Sequence, residues 1–158
     1  DASLFNGNTS SWVEMVSTNL LGGCMVTREV VRDMQRRGQW GHIFNAVGLS
    51  GHRIPDAAAG GTFFAATKHA LRCVTEGLRQ EARAAGVPLR VSGISPGLVQ
   101  TEFFETRAFG DKEKARAATN GIAPLDPADV ARALLWALAA PDHMEVNDIV
   151  IRPTQQLI

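Results

Sequence analysis

The sequence predicts an α/β sandwich, a parallel sheet with helices packed on both faces. Three observations carry this. Helical patterns alternate with short apolar runs bounded by Gly and Pro, the links between them are short, and the order reads α-β-α-β-α-β. With right-handed crossovers, that order gives parallel strands. Three strands make a narrow sheet for this class, and the first has no earlier strand to cover its outer edge. The pattern reads as the second half of a larger sheet.

Each element has a local reason. Ser11-Trp12-Val13-Glu14 has capping-box spacing, and the helical pattern after it runs through Met34 and Arg37. Gly22-Gly23 interrupts this segment and predicts a kink or a close helix contact, and Gly38 ends it. His42 to Val47 is short, apolar and bounded by glycines, as a buried strand should be. A Gly/Ala/Pro-rich loop follows, roughly Gly48 to Gly61. The next helix spans about Thr62 to Ala85, closed by Gly86 and by Pro88 just beyond.

Leu89 to Ile94 forms a second strand, stopped by Ser95-Pro96-Gly97. Thr101 to Ala123 is charged and weakly patterned, predicting a mobile excursion with short helix. Asp126-Pro127-Ala128-Asp129 is a strong helix start, with Asp126 as N-cap, Pro127 at the first helical position and acid in the first turn. That helix reaches about Ala140, before Pro141. Asn147 to Arg152 is the last strand.

Composition narrows the function classes. A chain of 158 residues fits one domain with a sizeable core; 45% of it is apolar and 20% charged, ordinary for a soluble protein. Sixteen basic residues balance sixteen acidic ones, which leaves no field to draw in nucleic acid or an anionic membrane. No apolar run approaches the ~20 residues that span a bilayer, so a cytoplasmic location is expected. Cys24 and Cys73 fall inside predicted helices and read as reduced, buried thiols. His42, His52, His69 and His143 are scattered, which argues against a zinc site. Trp12, Trp40 and Trp136 read as core or interface anchors rather than stacking platforms. The chain begins at Asp1 without an initiator Met, which predicts a fragment, a processed product or an incomplete gene model.

The chain contains no tyrosine. Phe64-Ala65-Ala66-Thr67-Lys68 places Phe64 and Lys68 on one helix face, since positions i and i+4 are neighbours. A Tyr at 64 would set a phenol beside an ammonium, which lowers the phenol's pKa and makes it a usable acid. Phe64 offers no proton. Taken alone, Lys68 reads first as an ordinary solvated helix lysine.

Four strings occur in order: Thr18-Asn19-Leu20-Leu21-Gly22, Gly41-His42-Ile43-Phe44-Asn45, Phe64 to Lys68, and Ile94-Ser95-Pro96-Gly97-Leu98-Val99-Gln100-Thr101. Their order and spacing resemble the C-terminal half of short-chain dehydrogenases/reductases, over nearly the whole chain. The resemblance implies the C-terminal part of a doubly wound, Rossmann-like domain. It also implies NAD(P)(H)-dependent chemistry on a carbonyl/alcohol pair, a ketone or hydroxysteroid. Asn19 matches the helix-kink Asn whose carbonyl holds a relay water. Lys68 matches the Lys that bonds the nicotinamide ribose and acidifies the Tyr, and the Tyr position is Phe64. The Ser that orients the substrate carbonyl falls on Gly48, with Ser50 the alternative. Pro96, Gly97, Leu98, Val99 and Thr101 match the turn that meets the nicotinamide carboxamide and pyrophosphate.

The family's TGxxxGxG turn and its NNAG segment are not in this sequence. That turn seats the pyrophosphate on a helix N-terminus, so NADP or NAD is implied by the resemblance while binding is in doubt. The expectation is a degenerate member, impaired at Phe64 and Gly48. The resemblance further implies a homo-oligomer through the helices around 10–38 and 62–85. An interaction module without catalysis is the alternative.

Overall fold

A computed structural model describes residues 2–39, 41–54, 61–103, 113 and 121–156. The chain enters through helix α1 (Thr9–Val16), passes a π-helical turn at Ser17–Gly22, and continues as α2 (Gly23–Arg37). Strand β1 (Gly41–Ala46) leads to a short 3-10 turn at Leu49–Gly51. Helix α3 (Gly61–Ala84), strand β2 (Leu89–Pro96), helix α4 (Pro127–Leu138) and strand β3 (Asp148–Ile151) complete the described elements. The three strands form one sheet in the order β1-β2-β3, and both pairings are parallel. The predicted architecture is therefore present, as a parallel sheet with flanking helices.

The sheet's middle strand holds the core. β2 is buried at every position from Arg90 to Ser95, as expected for a strand covered on both faces. Register pairs Gly41 with Leu89 and Ala46 with Ile94, then Gly93 with Asp148 and Pro96 with Ile151. α3 presents a stripe of buried residues, Ala65, Leu71, Thr75, Arg79 and Ala82, along one side. Asn45 Nδ2 donates to Thr75 Oγ1 at 2.9 Å, fixing that helix over β1. Arg79 occupies the same stripe because its guanidinium has acceptors there: Val91 O at 2.8 Å, Asn147 O at 3.1 Å, and the carboxylate of Glu145. A buried charge satisfied this way costs less than its burial alone would suggest.

Helix termini follow local chemistry. Asp126 caps α4 in a reciprocal box with Asp129, and Pro127 sits in the first turn, as predicted. Gly38 closes α2 at φ 62°, and Gly86 follows α3 at φ 63°. The first cap differs from expectation. Asn8, not Ser11, caps α1, accepting from Ser10 N–H at 3.0 Å. Asn is an equally good cap and lies earlier in the chain, so the helix starts there. Gly22 and Gly23 do not end the helix; the backbone widens into a π-turn that closes at Gly22, and α2 resumes at Gly23.

Two side-chain expectations are corrected. Cys24 is half-buried and Cys73 is exposed, because Cys73 falls opposite the buried stripe of α3. Trp136 is 61% exposed and is no core anchor of this chain. Trp12 does anchor: its ring stacks on Phe63 at 5.3 Å and its indole N–H donates to Ala2 O. Trp40 and most of the stretch from Thr101 to Ala123 lie outside the described residues.

Candidate active site

The π-turn places Asn19. Such a turn inserts an extra residue into the helical ladder and re-aims its backbone groups, and it recurs at functional sites. Asn19 Nδ2 donates to Thr67 Oγ1 at 3.1 Å, and that hydroxyl donates to Phe64 O at 2.7 Å. Thr67 is buried. It therefore ties the π-turn to the turn of α3 that carries Phe64 and Lys68.

Phe64 and Lys68 share a face, as their spacing requires. Lys68 Nζ lies 5.9 Å from the centroid of the Phe64 ring, at the outer reach of a cation–π contact. It donates to Ala46 O at 2.9 Å, at the carboxyl end of β1. Burial holds the Lys68 amine below the usual lysine range. The Phe103 ring stands 6.2 Å from that of Phe64, tilted by 45°, and extends the apolar wall.

The loop after β1 brings Gly48 to the same place. Val47 and Gly48 both donate their N–H to Ile94 O, at 2.9 and 3.1 Å, so the exit from β1 hooks onto β2. Gly48 has φ 80° and ψ 162°, a region open essentially to glycine alone. Ser50 sits half-buried on the 3-10 turn beyond it. Gly51 is buried against Val47 and the backbone of Lys68, where a Cβ would come within 2.3 Å of Val47 Cγ1. The loop is thereby pressed onto α3 at Lys68.

The turn after β2 forms the third wall. A Cβ on Gly48 would lie 3.9 Å from Pro96 O, so the two chain segments are adjacent. Gly97 N–H donates to Ile151 O at 2.7 Å, and a Cβ there would fall 2.2 Å from Gln156 Oε1. Gln156 also accepts from Leu98 N–H at 2.9 Å, which occupies one of the amides expected to meet a carboxamide. Val99 bridges Leu125 in parallel, with Gln100 N–H and Leu98 O making the bonds. That pattern turns Val99's own N–H and C=O away from Leu125. Thr101 Oγ1 accepts from Phe103 N–H at 3.3 Å and stays exposed. Lys68 thus stands at the carboxyl end of β1, and Val99 and Thr101 follow the carboxyl end of β2. An amine, a pair of backbone polar groups and a hydroxyl are donors and acceptors of the kind a nicotinamide ribose and carboxamide would need.

Sequence reasoning did not find Thr67, Phe103 or Gln156. Thr67 bonds within its own helix to Phe64 O, and its link to the π-turn joins residues 48 positions apart, which no local pattern shows. A second cluster was also missed. His52 Nε2 lies 3.0 Å from both Ser95 Oγ and Asp148 Oδ2, and Ser95 Oγ donates to Asp148 Oδ1 at 3.0 Å. This is not a nucleophilic triad, because Ser and Asp address the same ring nitrogen and Ser95 is fully buried. It latches the loop after β1 to β2 and β3. Burial holds the His52 imidazole below its ordinary pKa, against the opposing pull of Asp148.

A parallel sheet with flanking helices, an amine at the carboxyl end of β1 and glycine turns after β1 and β2 is a Rossmann-like α/β arrangement. The chain belongs to the short chain dehydrogenase family, whose profile matches residues 3–111. It is similar to dehydrogenase/reductase SDR family member 11 of Bos taurus, 42% identical over 155 residues, covering 98% of this chain and 60% of that protein. The Homo sapiens protein of the same name is 41% identical, with 98% of this chain and 59% of that one covered. Among solved structures, the closed form of serine dehydrogenase complexed with NADP+ superposes with a TM-score of 0.88 at 33% identity, over 99% of this chain and 61% of that one. The chain spans about 60% of the length of these relatives.

Proposed function

We propose that this chain carries the nicotinamide-side half of a carbonyl/alcohol oxidoreductase site, and that the site is catalytically impaired. The observation that carries this is Phe64. It stands beside Lys68 in a chain without any tyrosine to replace it. A bound nicotinamide supplies or accepts hydride, and Lys68, Val99 and Thr101 are the groups that would hold its ribose and carboxamide. Reduction also needs a proton on the nascent alkoxide, and general-acid help is worth roughly 10²–10⁴-fold. Phe64 has none to give, and Gly48 lacks a hydroxyl to orient the carbonyl.

NADP is the favoured cofactor, supported by the NADP+ complex of the serine dehydrogenase structure, with NAD the alternative. The substrate class is a ketone or hydroxysteroid, supported by the resemblance rather than by any pocket. A cytoplasmic location accords with two free thiols, Cys24 and Cys73. No described helix is long and apolar enough to cross a membrane. The test is direct: NADPH is mixed with the purified chain and a panel of ketones and steroids, and absorbance is followed. No turnover above the buffer rate is expected, and robust oxidation of NADPH would overturn the reading.

A second reading, an interaction module, is favoured by one feature. Val13, Leu21, Met25 and Val26 are all at least half exposed along α1, the π-turn and α2. A single chain leaves that apolar column uncovered.

A further inference from the structure

We propose that Lys68 is a covalent capture site for aldehydes and ketones, which its side-chain amine binds as a Schiff base. This goes beyond the hydride-transfer reading and needs no nicotinamide. Lys68 is the one lysine among the described residues; Lys112 and Lys114 lie outside them. It is half-buried, and among the described residues no carboxylate lies within ion-pair distance of it. Among the described residues, it donates a hydrogen bond to the Ala46 carbonyl at 2.9 Å. A neutral amine keeps that bond with one of its hydrogens and still presents a lone pair.

The surroundings favour this form of the amine. An ammonium that loses hydration without gaining a counter-ion is penalised, so the neutral, nucleophilic amine is reached at lower pH. Phe64 has no hydroxyl to hydrogen-bond the amine, and with Phe103 it provides apolar ring surface for the body of a carbonyl compound.

The chemistry balances without an oxidant or reductant. The Nζ lone pair adds to the carbonyl carbon, forming a C–N bond while the C=O π pair moves to oxygen. A proton passes from nitrogen to that oxygen to give a carbinolamine. The hydroxyl then leaves as water with the second amine proton, and C=N forms. One carbonyl compound and one amine give one imine and one water.

The experiment uses benzaldehyde as probe with cyanoborohydride to trap the imine, on the folded chain near neutral pH, read by peptide mass spectrometry. Lys68 should be modified several-fold faster than Lys112 and Lys114, which serve as internal references. Its rate should also reach its plateau at lower pH than theirs, and urea should abolish the advantage. Modification of Lys68 no faster than that of the two references overturns the proposal. Lys68→Arg removes the adduct and keeps the cation, with circular dichroism as the folding control. Because the wild-type comparison is internal, a misfolded variant does not spoil the test. NADPH consumption is not read here, so failure leaves the oxidoreductase reading to its own assay.

Discussion

Phe64 and Lys68 lie one helical turn apart at the end of β1, so their relation depends on α3 alone and is readable from five letters. Gly48 is different. Its place in the string of motifs suggests a serine with its side chain removed, but its backbone has φ 80° and ψ 162°. A Cβ there would lie 3.9 Å from Pro96 O, in ordinary van der Waals contact, so the obstacle to it is conformational. Gly48→Ser should therefore lower stability by about 1–3 kcal/mol, seen as a lower urea midpoint at unchanged slope. An unchanged midpoint would show that the loop relaxes freely. The same strain limits rescue of chemistry. In a chain joined to the glycine-rich half of a relative, Phe64→Tyr should raise ketone reduction by up to about 10²-fold and leave it below the relative's rate. Full recovery from the single change would mean that the missing serine hydroxyl is dispensable.

At the scale of elements, the strand and helix order was legible because period and punctuation agree at each boundary. Asp126 and Pro127 fix the start of α4, and Gly38 and Gly86 stop α2 and α3, each by local chemistry. The π-turn was not legible as such. Gly22-Gly23 marked the region, but the contact that ties the widened turn to α3 joins a residue pair 48 positions apart. Its anchor is the bond from Asn19 to Thr67, relayed to Phe64 O. Asn19→Ala and Thr67→Ala should each destabilise the fold, and their double-mutant cycle should show a coupling of about 0.5–1.5 kcal/mol. Additive effects would mean that the π-turn holds its shape without this bond. The turn after β2 was legible only in part, since Pro96-Gly97 announces a strand end but nothing local announces that Gln156 closes over it.

Across the whole molecule, long-range contacts set behaviour that no single string announces. His42 and His52 both have imidazole pKa values lowered from 6.5, by burial first, with Arg90 adding to the effect at His42. Their unfolded forms bind protons more readily, so stability should be full above about pH 6.5 and fall as pH drops below it toward the lowered folded values. His42→Gln should flatten that acid limb in a plot of Tm against pH, and an unaltered limb would assign the loss elsewhere. Association is the other global property. Met25 is 57% and Val26 65% exposed on α2, and Val13 and Leu21 continue the column onto α1 and the π-turn. β1 pairs only with β2 among the described residues, so an apolar helix face and an open strand edge occur in one half-domain. Water is a poor partner for either, and a second copy or an intact relative could cover both. The chain should therefore sediment as a species larger than a monomer at micromolar concentration. Because Val26 is mostly exposed, Val26→Asp should leave the circular dichroism unchanged, yet it sets a charge in the column and should return the chain to monomer. A wild-type chain that is monomeric alone and when mixed with a relative would end the interaction reading, leaving the exposed column as surface that some further stretch of polypeptide must cover.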